Sequence, residues 1–318
     1  MRTPNSARMM IEEVEGISVA EFQRRFQQQL KPCVIRGGVK HWPAVGKWNL
    51  DYLAKAIRPK SIRLKNNQSG QRDYRFPEHV EALRAFESGG PLPAYLTNAN
   101  LYRFFPELAA DVEPYSEYGL PDMTTSPLIP RNFMYDRFGV ELLLGTAGHG
   151  FGVLHIDSCY IHAFIAQIYG EKDFIVFPPD QGKYLYPSAE NPLVSDVDNI
   201  WSPDLKRFPD VQKARGEVLT LRPGDLLFVS SGWWHTTRMN TTSIGVTFNT
   251  VTPSNWGVFC TEALRQMALT KPGKAKLASV YLKLAKYPAL WTAPGFDSAA
   301  TLEAFAAGDD DMPPPRYA

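Results

Sequence analysis

In Leu154-His155-Ile156-Asp157 an imidazole and a carboxylate stand two positions apart, so on an extended strand both side chains leave the same face. His235 lies 80 residues further on, in Ser231-Gly232-Trp233-Trp234-His235, just past the apolar run 226–229. Two histidines and one carboxylate on one face of a metal leave adjacent positions open, an arrangement suited to non-haem iron(II) oxygen chemistry. A His-x-Asp arises often by chance, and a lone histidine among aromatics is usually a packing residue. The weight lies in the combination: the pair ends one apolar strand, the single histidine follows another, and Pro223-Gly224-Asp225 supplies the turn into that second strand. His149 and His162 are the competing ligands, both within seven residues of the pair. His149, between Gly148 and Gly150, is expected in a mobile turn rather than on the rigid strand a metal site needs. His162 either faces the pocket or is a satisfied core histidine, and His41 and His79 read as surface or packing residues.

Such ligands need a stiff scaffold, and the middle of the chain predicts one. Short apolar runs at 140–144, 163–169, 174–177, 218–221, 226–229 and 243–250, separated by Gly, Pro and Asp, have the length and spacing of strands in an all-β barrel or jelly roll. The interval 183–215 lacks periodicity and reads as a long loop, a place where function often resides. Upstream, Ser18-Val19-Ala20-Glu21 reads as a capping box opening a helix to about residue 29, which Pro32 stops. Cys33-Val34-Ile35-Arg36 reads as a short buried strand, Asn49 as the cap of a helix through residue 57, and Pro77 as the start of a third helix. Downstream, 256–269 and 276–286 have helical amphipathic patterns, and a tail with Asp309-Asp310-Asp311 and Pro313-Pro314-Pro315 is expected to fray. The expected organisation is an α/β region over 1–125, a β core over 126–252 and a helical region with tail over 253–318.

Composition narrows the function classes. With 318 residues, 44% of them hydrophobic, the chain can bury a large core. Its 34 basic and 33 acidic residues give a net charge of +1, so no global field draws it to nucleic acid or to an anionic membrane. Three cysteines, Cys33, Cys159 and Cys260, are odd in number and contain no Cys-x-x-Cys pair, which argues against a disulfide framework or a thiolate zinc cage. Glu12, Glu13 and Glu15 fall where a signal peptide needs its apolar run, and no stretch reaches the roughly 18 apolar residues of a membrane span. A reducing cytoplasm is the expected compartment.

The run from His155 through Lys172 to Pro179 resembles the core of JmjC and cupin-like oxygenases, in the branch of the phosphatidylserine-receptor-like lysyl hydroxylase and the asparaginyl hydroxylase. Phe228-Val-Ser-Ser-Gly-Trp-Trp-His235, Val34-Ile-Arg-Gly-Gly-Val-Lys-His-Trp-Pro43 and Phe105-Pro-Glu-Leu108 are similar to the same group, so the resemblance spans roughly residues 30 to 255. It implies a mainly β fold, a double-stranded β-helix (jelly-roll/cupin) core with an N-terminal α/β elaboration and C-terminal helices. It also implies iron(II) held by His155, Asp157 and His235, with 2-oxoglutarate and O2 as co-substrates. Lys172, 17 positions after His155, matches the lysine that binds the distal carboxylate of 2-oxoglutarate, and Thr247 matches a hydroxyl that assists it. Tyr95 resembles a tyrosine whose phenol reaches the cofactor, and Asn249 lies on the strand face of Thr247. The chain departs from the pattern in one respect: no asparagine lies between Asp157 and Lys172, so Ile165, His162 or Gln167 must occupy the space of the usual cofactor-facing amide.

The expected reaction is hydroxylation of a C–H bond, on an amino-acid side chain of a peptide or protein, with a free amino acid or natural-product intermediate as the alternative substrate. The near-neutral charge disfavours nucleic acid, and Tyr184, Tyr186 and Trp201 make the 183–215 loop the candidate for substrate selection. Two other classes compete: a catalytically silent cupin-like binding module, and a zinc or manganese isomerase that needs no 2-oxoglutarate. The helices after Trp256 are candidates to pair two subunits into a homodimer.

Overall fold

Short strands rich in β-branched and aromatic residues build two facing sheets. The computed structural model describes residues 11–57, 61–66, 70–113, 116–123 and 139–270. Its strands are β1 (Glu12–Glu15), β2 (Cys33–Arg36), β3 (Ser61–Asn66), β4 (Gly70–Arg75), β5 (Leu96–Asn100), β6 (Glu141–Gly145), β7 (His162–Tyr169), β8 (Lys172–Phe177), β9 (Glu217–Leu221), β10 (Leu226–Val229), β11 (Trp234–Met239) and β12 (Ser243–Thr250). The larger sheet has the order β1-β2-β10-β7-β12-β6-β5 and the smaller β11-β8-β9, while β3 and β4 form a separate ribbon. Apart from the parallel β1–β2 pair, the ladders are antiparallel. A jelly-roll core of this kind matches the expected fold class.

Alternation along β7 and β12 divides the core in two. Phe164, Ala166 and Ile168 share one face with Ile244, Val246 and Phe248, and that face packs beneath the N-terminal helices, among Phe22, Phe26, Trp42 and Trp48. The Phe164 and Phe248 rings stack with centroids 4.9 Å apart. Ala163 and Ile165 point the other way, meeting Phe174 and Val176 of β8, Leu219 and Leu221 of β9, and Leu227 and Val229 of β10. Each large side chain buried in these layers contributes about 1.5–3 kcal/mol. Beyond the apolar layer the inward faces of β7, β8, β11 and β12 turn polar, and the site lies there.

Helix starts follow the local chemistry. Ser18 Oγ accepts from the Glu21 N–H at the start of α1 (Val19–Phe22), but Glu21 pairs with Arg25 instead of reaching back, and a π-helical turn over Gln23–Gln27 takes over. Pro43 opens the short α2 (Pro43–Lys47), the Asn49 side chain caps α3 (Leu50–Ala56), and Pro77 occupies the first turn of α4 (Phe76–Glu87). A one-turn α5 (Leu101–Phe104) and α6 (Trp256–Thr270) complete the α-helices among the described residues. Among the described residues no helix is long and apolar enough to cross a membrane. The expected helix over 276–286 and the acidic, proline-rich tail lie outside the described residues.

The structure refines three expectations. His235 follows β10 as expected, but it stands on a strand of its own, β11, whose Trp-His-Thr-Thr-Arg-Met sequence is too polar to read as a core strand. His155 and Asp157 do not end a regular strand; His155 makes isolated bridges to Val194 and His235. The 183–215 interval is a long loop as expected, but one with a core of its own: Leu185, Leu193, Val197, Ile200, Phe208 and Val211 bury themselves against Phe177 and Trp234 on the outer face of the smaller sheet.

Candidate metal centre

His155 and His235 face each other across a hydrogen-bonded antiparallel pair. The His155 N–H donates to the His235 carbonyl at 3.0 Å and the His235 N–H returns the bond at 2.8 Å, so both side chains leave the same side. On its other edge this segment is held by Ile156 N–H to Leu193 O at 2.8 Å and Ser195 N–H to Leu154 O at 2.9 Å. The apolar loop therefore braces the first histidine from behind. Each imidazole has its Nδ1 against the carbonyl two residues earlier, Val153 for His155 and Trp233 for His235, both at 3.1 Å. A carbonyl only accepts, so Nδ1 carries the proton and Nε2 turns a lone pair into the site.

Asp157 completes the group. Its two oxygens lie 3.7 Å from His155 Nε2 and 3.6 Å from His235 Nε2, and one donor atom from each of the three residues falls within 4.8 Å of the others. These separations are too long for hydrogen bonds and leave room for an ion. Burial works to raise the Asp157 pKa, but the facing His235 and His155 outweigh it and hold the carboxyl below its usual range. Burial pushes the His235 pKa down to about 4. The centre at neutral pH is thus an anion beside an unprotonated imidazole, the state a metal ligand requires. After Asp157 the backbone turns sharply through Cys159 (φ 59°) and Tyr160 (φ 54°), left-handed conformations that cost a non-glycine residue about 1–3 kcal/mol. Ser231 Oγ and Asn255 Nδ2 both donate to Tyr160 O, at 2.7 and 2.8 Å, and α6 packs its Trp256, Phe259 and Cys260 against Cys159 and Ile161. Ser231, Asn255 and the apolar face of α6 together hold that turn.

The competing histidines are engaged elsewhere. His162 Nδ1 accepts from the Ser231 N–H at 3.1 Å, so its proton sits on Nε2, between Thr252 Oγ1 and Ser254 Oγ. His149 is not in a mobile turn: it is 1% exposed, its Nδ1 accepts from Thr146 N–H and its Nε2 donates to Pro93 O at 2.8 Å. His79 is buried as well, and burial lowers the pKa values of His79 and His162 to about 4 and about 3. All three groups, His79, His162 and His235, have folded pKa values below the ordinary 6.5, so the unfolded chain binds protons that the folded chain refuses. Their contribution is present above 6.5 and is lost as pH falls toward 4, at up to about 4 kcal/mol per pH unit. Denaturant titrations of the metal-free protein are expected to show that decline beginning below pH 6.5; a midpoint unchanged down to about pH 5 would contradict it.

At the far end of the polar face lies Lys172. It opens β8, is 0% exposed, and its Nζ has no hydrogen-bond partner among the described residues. Desolvation pushes its pKa down to about 8, from 10.5. Register aligns Lys172 with Met239 and His235 with Val176, so lysine and ligand histidine share the inner side of the smaller sheet, four residues apart along β8. Opposite stands Gly245 of β12; a Cβ there would lie 3.6 Å from Lys172 Nζ and 3.8 Å from Gln167 Oε1, so the bare glycine leaves space for both heads. Thr247 and Asn249 share the Gly245 face, opposite Ile165 and Ala163 of β7, both half-buried, with Thr247 Oγ1 donating to Phe164 O at 2.9 Å. Tyr95 is 2% exposed, stacks on His149 at 5.6 Å and packs with Leu143 and Met239; burial raises the pKa of its phenol.

The inward positions of β7 are Ala163, Ile165 and Gln167. No amide stands midway along the strand, and the polar one sits at the lysine end. Sequence reading raised Gln167 only as one of three occupants of that space and did not find Thr237, whose buried, unpartnered hydroxyl lies two positions after His235 on the same face. For Gln167 the available signal was a polar residue in step with the inward Ala163 and Ile165; Thr237 had only its spacing from His235. Phe151 was also missed. Its ring stacks on His155 with centroids 4.4 Å apart, and with the 38% exposed Val153 it forms an apolar lip beside the half-buried Asp157.

These residues fit a non-haem iron(II) and a dicarboxylate co-substrate. Two imidazoles and a carboxylate on one side are a facial donor set, and a buried ammonium with no acceptor among the described residues needs an anion. The cupin-like domain family matches residues 19–252 of the chain. HSPB1-associated protein 1 of Mus musculus is 43% identical over 233 residues, 64% of this chain and 45% of that protein. The arginine-specific demethylase JMJ22 of Arabidopsis thaliana is 27% identical over 264 residues, 77% of this chain and 47% of that protein. Lysine-specific demethylase 8 of Xenopus tropicalis is 27% identical over 239 residues, 73% of this chain and 50% of that protein. The chain spans about half the length of the curated relatives it matches.

Proposed function

The chain belongs to the JmjC-type, cupin-like family of iron(II)- and 2-oxoglutarate-dependent oxygenases, and on that premise we propose that it hydroxylates a C–H bond on an amino-acid side chain of a peptide or protein. The observation that carries this reading is Lys172: an unpartnered ammonium, fully buried, on the same inner face as the His155–Asp157–His235 group. A silent binding module or a metal isomerase has no use for a buried cation opposite its metal.

In this reading His155, Asp157 and His235 hold iron(II), and Lys172 takes the distal carboxylate of 2-oxoglutarate, with Thr247, Asn249 and Tyr95 lining the pocket between. When bound, iron(II), 2-oxoglutarate and O2 together supply an oxidant strong enough for an unactivated C–H bond, with succinate and CO2 as by-products. The protein contributes geometry and exclusion. The Val153 and Trp233 carbonyls lock the two imidazoles in the binding tautomer. Ala163, Ile165, Phe174 and Val176 form the apolar layer beside the site and Lys172 is fully buried, so the charge pair at the lysine end acts in a medium of low polarity. The partly exposed Phe151 and Val153 beside Asp157 form the side open to a substrate. Peptide or protein substrates are supported by relatives named as arginine- and lysine-specific demethylases; an N-methyl group hydroxylated in the same way would leave as formaldehyde.

Adding iron(II) and 2-oxoglutarate under anaerobic conditions is expected to produce a visible metal-to-cofactor charge-transfer band, and air is expected to release succinate. Mass spectrometry of peptide libraries then separates the outcomes: gain of one oxygen for stable hydroxylation, loss of a methyl group with formaldehyde for demethylation. No band and no succinate would overturn the oxygenase reading.

A further inference from the structure

Lys172 and Gln167 are two buried polar groups left open side by side. The Gln167 side chain is 0% exposed, and its Nε2 is fully used, its two protons shared among three acceptors, Tyr169 O at 2.8 Å, Gly170 O at 3.0 Å and Ser243 Oγ at 2.9 Å. Those bonds fix the amide in one orientation, because a flipped carboxamide would set its oxygen against two carbonyls. Its Oε1 has no partner, and it lies within 4 Å of the same point above Gly245 as Lys172 Nζ, which has none either. A buried acceptor left open costs about 1–3 kcal/mol and a buried ammonium more, so the arrangement makes sense only with a third group in place.

We propose that Gln167 is a positioning residue for the co-substrate: the two open groups are not bonded to each other in this structure, and on loading Oε1 accepts one ammonium proton of Lys172 and aims the remaining protons at the distal carboxylate. This rests on the oxygenase reading above. An ammonium has three protons to place and a carboxylate end takes one or two, so an acceptor is needed on the protein side. The carbonyl oxygen cannot serve the carboxylate directly, since both are acceptors with no proton to share. It acts through the lysine. This also accounts for an inner amide at the lysine end of β7 while Ala163 and Ile165 hold the positions nearer the metal. The spent Nε2 and the open Oε1 divide the labour: one end of the amide anchors the turn at Tyr169–Gly170, the other orients the cation.

The test is a double-mutant cycle on 2-oxoglutarate affinity, read by calorimetry on protein loaded with manganese(II) in place of iron. Gln167→Met is expected to weaken 2-oxoglutarate about tenfold or more, the scale of a lost hydrogen bond to a charged group, with manganese affinity unchanged. In the Lys172→Met background the same change is expected to have no further effect, because its route is gone. Additive losses in the double variant, or an affinity within about twofold of wild type in Gln167→Met, would overturn the proposal. Should Gln167→Met fail to fold, the isosteric Gln167→Glu decides: a carboxylate beside Lys172 is expected to capture the ammonium and weaken 2-oxoglutarate about a hundredfold, and unchanged affinity in the folded protein overturns the role. If wild-type protein itself binds no 2-oxoglutarate, the oxygenase reading fails rather than the assignment of Gln167.

Discussion

Replacing Asp157 with alanine is expected to abolish metal binding and turnover together while leaving the metal-free protein folded. Asp157 is the one anionic donor in the group, and His155 and His235 are neutral lone pairs held by backbone carbonyls that do not depend on it. Its side chain is 22% exposed, so truncation leaves no sealed cavity and removes no core contact. The loss falls on the ion, which surrenders a charged ligand worth several kcal/mol, or about a thousandfold or more in rate. A thermodynamic signature accompanies it. An ion present at about 100 times its dissociation constant stabilises a folded protein by roughly 2.7 kcal/mol, and that increment in the melting curve is expected in wild type and absent in the variant. Asp157→Asn, which keeps the shape without the charge, should fall between the two in ion affinity. Persistence of the metal-dependent shift in Asp157→Ala would show that the ion binds elsewhere, and the facial assignment would fail.

The strands with apolar runs were legible in the sequence to within a residue or two, because such runs state their burial directly. β10 and β12 came out with their observed bounds, 226–229 and 243–250. Among the strands that build the site, the one that carries the second histidine was missed. β11 reads Trp-His-Thr-Thr-Arg-Met, and its inward positions, His235 and Thr237, are polar because they face a pocket rather than a core. Periodicity scored on hydrophobicity is blind to such a strand. His155 escaped for another reason: its pairing partners, Val194 and His235, lie in a distant loop and an unrecognised strand, and neither follows from local sequence. The loop at 183–215 looked aperiodic because its buried residues pack on the back of the smaller sheet at irregular intervals, with Pro187, Pro203 and Pro209 turning the chain between them. Its first task is therefore support. Leu193 and Ser195 bond to the His155 segment, so a change of chain path there moves a metal ligand. Spacing found the ligands; only three-dimensional placement found what aims them: the Val153 and Trp233 carbonyls, the Asn255 and Ser231 donors at Tyr160, and the amide of Gln167.

Lys172→Met is expected to stabilise the fold and to destroy the co-substrate site. In the metal-free protein the ammonium is buried without an acceptor, and methionine of similar length removes the charge while filling its space among Met239, Gly245 and Phe174. The fall in its pKa from 10.5 to about 8 corresponds to roughly 3 kcal/mol of destabilisation at neutral pH, which the variant recovers in whole or in part. The sign with pH is fixed by the same numbers. Between about 8 and 10.5 the unfolded chain keeps a proton that the folded chain has released, so wild-type stability rises with pH through that window. The variant lacks this rise, and chemical denaturation across the window reads the difference. Binding runs the other way, because a carboxylate needs the lysine charged: wild-type affinity for 2-oxoglutarate is expected to decline above about pH 8. Removing one partner of a buried charge pair costs roughly 2–5 kcal/mol, so the variant should bind 2-oxoglutarate about a hundredfold more weakly or worse. A fold that tolerates an unpaired buried cation for the sake of a ligand is the stability–function trade-off in its plainest form. Were Lys172→Met to melt lower than wild type and still bind 2-oxoglutarate, the lysine would be a packing residue, and the pocket would need another anchor for its anion.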